Sequence, residues 1–248
     1  MNEQHSQNSR VALVTGANKG IGYEVARKLA ENGLTVFLGS RDAARGEEAA
    51  KTLASENLDV HPLILDLSRP NTIQAAAVLI GAAFQRLDIL VNNAGINDPD
   101  DGSPGVADLA AMRRVFETNF FGTVLVTKVM LPLIRNSTSG RIVNVSSGLG
   151  SLNFMSGLGN GSTAVGDLLG YSASKAALNM FTIQLARELK DDGILVNSAA
   201  PGYTATDLNN HQGRQTVQEG ARVPVQLALL PQEGPTGGFF DVHGSRPW

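Results

Sequence analysis

The chain has no cysteine among its 248 residues. That excludes disulfides, thiol nucleophiles and thiolate metal ligands. Charged residues make up only 17%, aromatic residues 5%, and the formal net charge is -3. So weak an acidic balance excludes the basic field that nucleic acid or an anionic membrane surface would need. Long apolar runs are also missing. No stretch is apolar enough to span a bilayer, and the polar opening "MNEQHSQNSR" lacks the core of a signal peptide. A cytoplasmic protein is the expectation. The four histidines show no metal-ligand spacing, so no metal is expected.

What the chain does have is 42% hydrophobic residues, arranged in short runs. "VALVT" (11–15), "TVFLGS" (35–40), "VHPLILDL" (60–67), "DILVNNAG" (88–95), "GRIVNVSS" (140–147) and "GILVNSAAPG" (193–202) are nearly continuously apolar. Strands buried on both faces look like this. Helix-like stretches fill the gaps, the longest at about 108–133 and 171–193. The alternation predicts a single α/β domain of Rossmann type, a doubly wound parallel sheet with helices on both faces. Residues 1–9 are expected to form a disordered tail and 10–248 the domain, with an active-site loop insertion at about 148–170.

In such a sheet, ligands sit at the carboxyl ends of the strands. The loop after the first run reads "TGANKGIG" (15–22). Gly16, Gly20 and Gly22 allow a tight turn and a close approach of backbone to ligand, and the helix that follows offers free N–H groups to a pyrophosphate. Lys19, between Asn18 and Gly20, puts a cation over that turn. The end of the second run, "LGSRD" (38–42), carries Ser40 where an NAD-binding acid would stand, followed by Arg41. Two cations facing one 2′-phosphate favour NADP(H). Asp42 is the competing acid for NAD, but it lies late and is expected to open the next helix.

With "NNAG" (92–95), "NVSS" (144–147), "YSASK" (171–175) and "PGYTAT" (201–206) following in order, the chain resembles the short-chain dehydrogenase/reductase family, nearest its NADPH-dependent carbonyl-reductase branch. The resemblance implies hydride transfer between nicotinamide and an alcohol or carbonyl. It implies Tyr171 as general acid, Lys175 as the cation that lowers the tyrosine pKa and holds the nicotinamide ribose, and Ser147 as donor to the substrate oxygen. Ser147 is preferred to Ser146 by the family pattern. Asn119 in "ETNFFGT" matches an asparagine that holds a relay water. Asn18 and Ile21 join the glycine loop as cofactor residues, Asp66 and Leu67 border the adenine, and Asn92, Ala94 and Gly95 flank the adenosine ribose. Pro201, Gly202, Thr204 and Thr206 surround the nicotinamide, with Tyr171 and Lys175 touching the cofactor as well.

Apolar residues in the 148–170 insertion, among them Leu149, Phe154, Met155 and Leu158, suggest a lid over a small neutral substrate, a ketone, aldehyde or quinone. A dedicated metabolic substrate, an acyl thioester or a steroid-like alcohol, is the second reading, with Arg113, Arg114 and Lys128 as the basic patch an acyl carrier would want. A non-catalytic NADP(H) sensor is the third; intact Ser147, Tyr171 and Lys175 argue against it. A homodimer, a homotetramer and a monomer all stay open.

Overall fold

The computed structural model describes residues 9–157 and 167–248. The expected tail (1–8 of it) and the centre of the expected lid (158–166, with Leu158) lie outside the described residues. Six of the strands fall on the six apolar runs: β1 (Val11–Val14), β2 (Thr35–Ser40), β3 (Val60–Ile64), β4 (Ile89–Asn92), β5 (Arg141–Val145) and β6 (Leu195–Ala199). Helices α1 (Gly20–Glu31), α2 (Ala43–Ser55) and α3 (Pro70–Phe84) fill the first three gaps. Asp42 opens α2, as expected, its side chain accepting from the Arg45 N–H. The long helix of the fourth gap is broken: α4 (Leu109–Phe116) widens into a π turn (Glu117–Gly122) before α5 (Thr123–Arg135). Then come α6 (Leu152–Gly157), α7 (Leu169–Glu188) and α8 (Val217–Ala228).

The sheet order is β3-β2-β1-β4-β5-β6-β7-β8. The order reverses between β1 and β4, which is where a doubly wound sheet opens its crevice. The expected doubly wound parallel sheet is present and carries one antiparallel strand at its edge. Two short strands extend it, β7 (Phe239–Asp241) parallel to β6 and β8 (Gly244–Arg246) antiparallel to β7. A tight reversal after β7 leaves no room for a crossover helix, so the last strand can only return antiparallel.

Alternation along the strands sorts the core. Ala12 and Val14 of β1 pack with Val25, Leu29 and Leu227 under α1 and α8. Val11 and Leu13 turn to the other face, with Ile73, Val126, Met130 and Leu185 under α3, α5 and α7. Near the carboxyl edge this apolar sandwich holds a line of polar groups. The Asn92 amide donates to Asn144 Oδ1 at 2.8 Å and to Thr127 Oγ1 at 3.0 Å. Asn144 donates to Thr182 Oγ1 at 2.8 Å, and Thr182 meets Ser198 Oγ at 2.8 Å. The line ties β4, β5 and β6 to the helices that cover them. It also corrects the reading of Asn92: its carboxamide is turned into the core, so only its backbone faces the crevice.

Removing the centre of that line strands partners on both sides. Asn144→Ala should lower the unfolding free energy by about 2–3 kcal/mol. Urea denaturation at unchanged m-value measures it; a loss below about 0.5 kcal/mol would mean the network carries no net stability.

Candidate active site

The glycine loop, Ser147 and the segment after β6 lie at the carboxyl ends of β1, β5 and β6, and Arg41 and Asp66 follow β2 and β3. The glycine loop leaves β1 with Gly16 at φ 61° and Gly20 at φ 60°, both left-handed. The loop is pressed against the β4 end: a Cβ on Gly16 would lie 2.9 Å from Ala94 Cα. Asn93 pins it there, its amide donating to the carbonyls of Thr15 at 3.0 Å and Gly16 at 3.1 Å. α1 then starts with no side-chain cap, so its first N–H groups face the crevice unclaimed by any side chain. Such a cradle of close backbone and free amides fits a pyrophosphate.

Arg41 stands exposed just past β2, and Ser40 is buried beside it, donating to the Asp42 carbonyl. Lys19 pairs with Asp207, which also meets His211 at 3.0 Å. Lys19 holds the Asp207 carboxyl below its ordinary value. Thr206, one residue back, reaches over Gly20, where a Cβ would lie 3.6 Å from its Cγ2. The segment after β6 therefore closes down on the glycine loop, and Asn97 fastens it from the β4 side by donating to the Leu208 carbonyl at 2.7 Å. Asp66 is engaged by Ser68, which donates through N–H at 3.0 Å and through Oγ at 2.7 Å. Leu67 is buried and packs under Gly122 of the π turn. Thr204 is buried on Pro201, its Oγ1 3.3 Å from that carbonyl oxygen.

The chemical centre lies between β5 and α7. Lys175 is 4% exposed, and its Nζ donates to the Val145 carbonyl at 2.9 Å. Burial lowers its pKa to about 8. Tyr171, one turn earlier, has its ring centroid 5.6 Å from that Nζ. Burial raises the Tyr171 phenol above its ordinary value, and a hydrogen bond with Ser147 pulls the other way. Ser147 also accepts from the Leu149 N–H at 3.2 Å, and Ser146 is buried against α7, as expected.

Asn119 sits in the π turn and is fully buried. Its Oδ1 accepts from the Ile96 N–H at 2.8 Å, and its amide donates to the Ile96 carbonyl at 2.9 Å and to Ser174 Oγ at 3.1 Å. Both amide hydrogens are thus spent on protein, so the carboxamide positions α7 against the β4 loop and has no hydrogen left to offer a water. Ser174 completes the link by donating to the Tyr171 carbonyl at 2.7 Å.

The expected lid is partly helix. α6 follows a short 3₁₀ turn at Gly148–Gly150, and Phe154 on it faces Gly148. Nothing in the local pattern announces what holds α6. Ser151 Oγ donates to the Pro247 carbonyl at 3.0 Å and the Asn153 N–H to the Trp248 carbonyl at 3.0 Å, while the Trp248 ring stacks on Phe239 at 5.5 Å. Pro247 and Trp248, just past the last strand, thereby strap the segment that follows Ser147. Among the described residues, no three His, Asp or Glu side chains could hold a metal, and no helix is long and apolar enough to cross a membrane.

A parallel sheet with a glycine cradle at its switch point and a serine, tyrosine and lysine on β5 and α7 defines a nicotinamide-type oxidoreductase. The profile described as short chain dehydrogenase matches residues 10–216, and the chain belongs to that family. It is 38% identical to short-chain dehydrogenase/reductase 1 of Saponaria officinalis, the match covering 96% of each chain. It is also 38% identical to carbonyl reductase [NADPH] 3 of Rattus norvegicus, over 91% of this chain and 92% of that one. Among solved structures, the NADPH-bound carbonyl reductase from chicken fatty liver superposes with a TM-score of 0.84 at 28% identity, covering 97% of this chain and 99% of that one.

The buried lysine costs the fold. Unfolded, its ammonium keeps its proton to about 10.5; folded, it gives it up near 8. The penalty is therefore complete below about 8 and fades as pH rises towards 10.5. Lys175→Met should raise the unfolding free energy by about 1–3 kcal/mol at neutral pH. Denaturation at neutral and alkaline pH should show the gain shrinking as the solution becomes alkaline. Equal stability of the two proteins at neutral pH would show that the Val145 carbonyl already offsets the burial.

Proposed function

We propose that this protein is a carbonyl reductase that takes NADPH and converts a neutral ketone, aldehyde or quinone to the alcohol, with Tyr171 as the proton donor. The observation that carries the reading is the convergence of Ser147, Tyr171, Lys175 and Asn119 beside the glycine cradle. NADPH, when bound, supplies the hydride that adds to the carbonyl carbon. The chain's own residues supply the rest. Gly16, Asn18, Gly20, Ile21 and Gly22 would receive the pyrophosphate on backbone amides. Arg41, with Lys19 released from Asp207, would meet the 2′-phosphate. Asp66, Leu67, Ala94, Gly95 and the Asn92 backbone would border the adenosine half, and Pro201, Gly202, Thr204 and Thr206 the nicotinamide half.

The Ser147 hydroxyl would donate to the carbonyl oxygen and polarise it, and the Tyr171 phenol would deliver a proton as charge develops there. A phenol whose pKa burial has raised stays protonated through neutral pH, which suits a donor. Lys175, buried and one turn along α7, would hold the ribose hydroxyls. Of the basic patch an acyl carrier would want, Arg114 is taken up by Asp98 at 2.8 Å. A sensor has no use for the proton donor.

Two measurements test the reading. Tyr171→Phe keeps the ring but removes the transferable proton, so turnover should fall at least about 10²-fold. NADPH fluorescence titration should be nearly unchanged; near-normal turnover sinks the assignment. Arg41→Ala should weaken NADPH about tenfold, the scale of one exposed charged contact, and leave NADH alone. Equal affinities of the unaltered protein for the two cofactors would refute the phosphate reading.

A further inference from the structure

An α-helix opens with N–H groups that have no partner inside it. Asp, Asn, Ser or Thr at the N-cap is the usual local answer. α7 lacks it: its N-cap is Leu168, which makes no side-chain bond. The amides are satisfied from a distant part of the chain. The Leu169 N–H donates to the Gly102 carbonyl at 2.9 Å. The Gly170 N–H donates to Asp101 Oδ1 and the Tyr171 N–H to Asp101 Oδ2, each at 2.8 Å. One carboxylate therefore divides its two oxygens between neighbouring amides, and one of those amides belongs to Tyr171 itself.

The loop that carries Asp101 is itself held. The Asp101 N–H donates to the Asp98 carbonyl at 3.0 Å. Asp98 receives the fork of Arg114 from α4, with Nε at 2.8 Å and a second nitrogen at 3.1 Å. The packing leaves no slack at the start of α7. A Cβ on Gly170 would lie 3.1 Å from Met112 Cα and 3.2 Å from Asp101 Oδ1. A negative group at a helix start is also favoured by the helix dipole.

We infer that Asp101 is a positioning residue for the reaction: by holding the amides of Gly170 and Tyr171 it fixes where the phenol stands relative to Ser147. The inference rests on the reading of Tyr171 as proton donor. Lys175 is anchored separately, by the Val145 carbonyl and by the close packing of Gly150 on its backbone. Loss of Asp101 therefore loosens the first turn of α7 and spares the ribose contact.

The test compares Asp101→Ala, Asp101→Asn and Tyr171→Phe in the full chain, well below their melting temperatures. Turnover is read with a small aromatic ketone or quinone on which the unaltered protein is active, and NADPH affinity by fluorescence titration. Asp101→Ala should lower kcat at least tenfold with the NADPH Kd within twofold. Asp101→Asn keeps one acceptor oxygen and should recover a substantial part of kcat. A kcat for Asp101→Ala within twofold of the unaltered protein overturns the inference, as does a parallel loss of kcat and NADPH affinity. Should the alanine variant not fold, the asparagine variant decides: it must lose kcat at least threefold at unchanged NADPH Kd, and full activity overturns the inference. If Tyr171→Phe stays active, the proton-donor reading fails; if it is inactive while Asp101→Ala is not, only the positioning role fails.

Discussion

A lysine ammonium buried at the carboxyl edge of a sheet is an expensive group to keep, and the architecture around Lys175 is shaped by keeping it. The Val145 carbonyl supplies an acceptor, yet burial still lowers the lysine to about 8. One glycine makes the space: a Cβ on Gly150 would strike the Lys175 backbone at 2.7 Å, so the turn after β5 can close on α7 only without a side chain there. A fold selected for stability alone would place an apolar residue at 175; retaining the cation marks the position as one where chemistry outranks stability.

The same edge shows how the two halves of the site are tied. Asn93 and Thr15 join the end of β4 to the glycine loop, and Asn119 joins the residue two beyond the β4 "NNA" stretch to α7 through Ser174. The π turn makes the second link. A wider turn breaks the regular ladder of the helix and carries Asn119 inward to a depth at which its carboxamide can pair with the Ile96 backbone. Cradle and chemical centre thus share the loop that follows β4, and a displacement of that loop moves both.

Much of this was legible in the residues. Period and apolarity located the six main strands, because strands buried on both faces leave an unmistakable run. Tyr171, Lys175 and Ser147 were legible through the resemblance of "YSASK" and "NVSS" to the family's motifs. What escaped depended on long-range contacts that no local pattern encodes. Asp101 reads as one acid in "NDPDDG", a turn sequence, and nothing near it announces a helix start some 70 positions later. β7 and β8 are three residues each, too short for a period to show. The contact of Lys19 with Asp207 could not be foreseen because the two lie 188 positions apart.

The strap formed by Pro247 and Trp248 has a meaning for synthesis. A chain leaving the ribosome completes β1, the glycine loop and β4 within its first hundred residues, and the tyrosine and lysine of α7 well before the end. The segment after Ser147 gains the Pro247 and Trp248 carbonyls only when residues 247 and 248 emerge. The glycine loop, Tyr171 and Lys175 are therefore translated long before the residues that fasten this neighbouring segment.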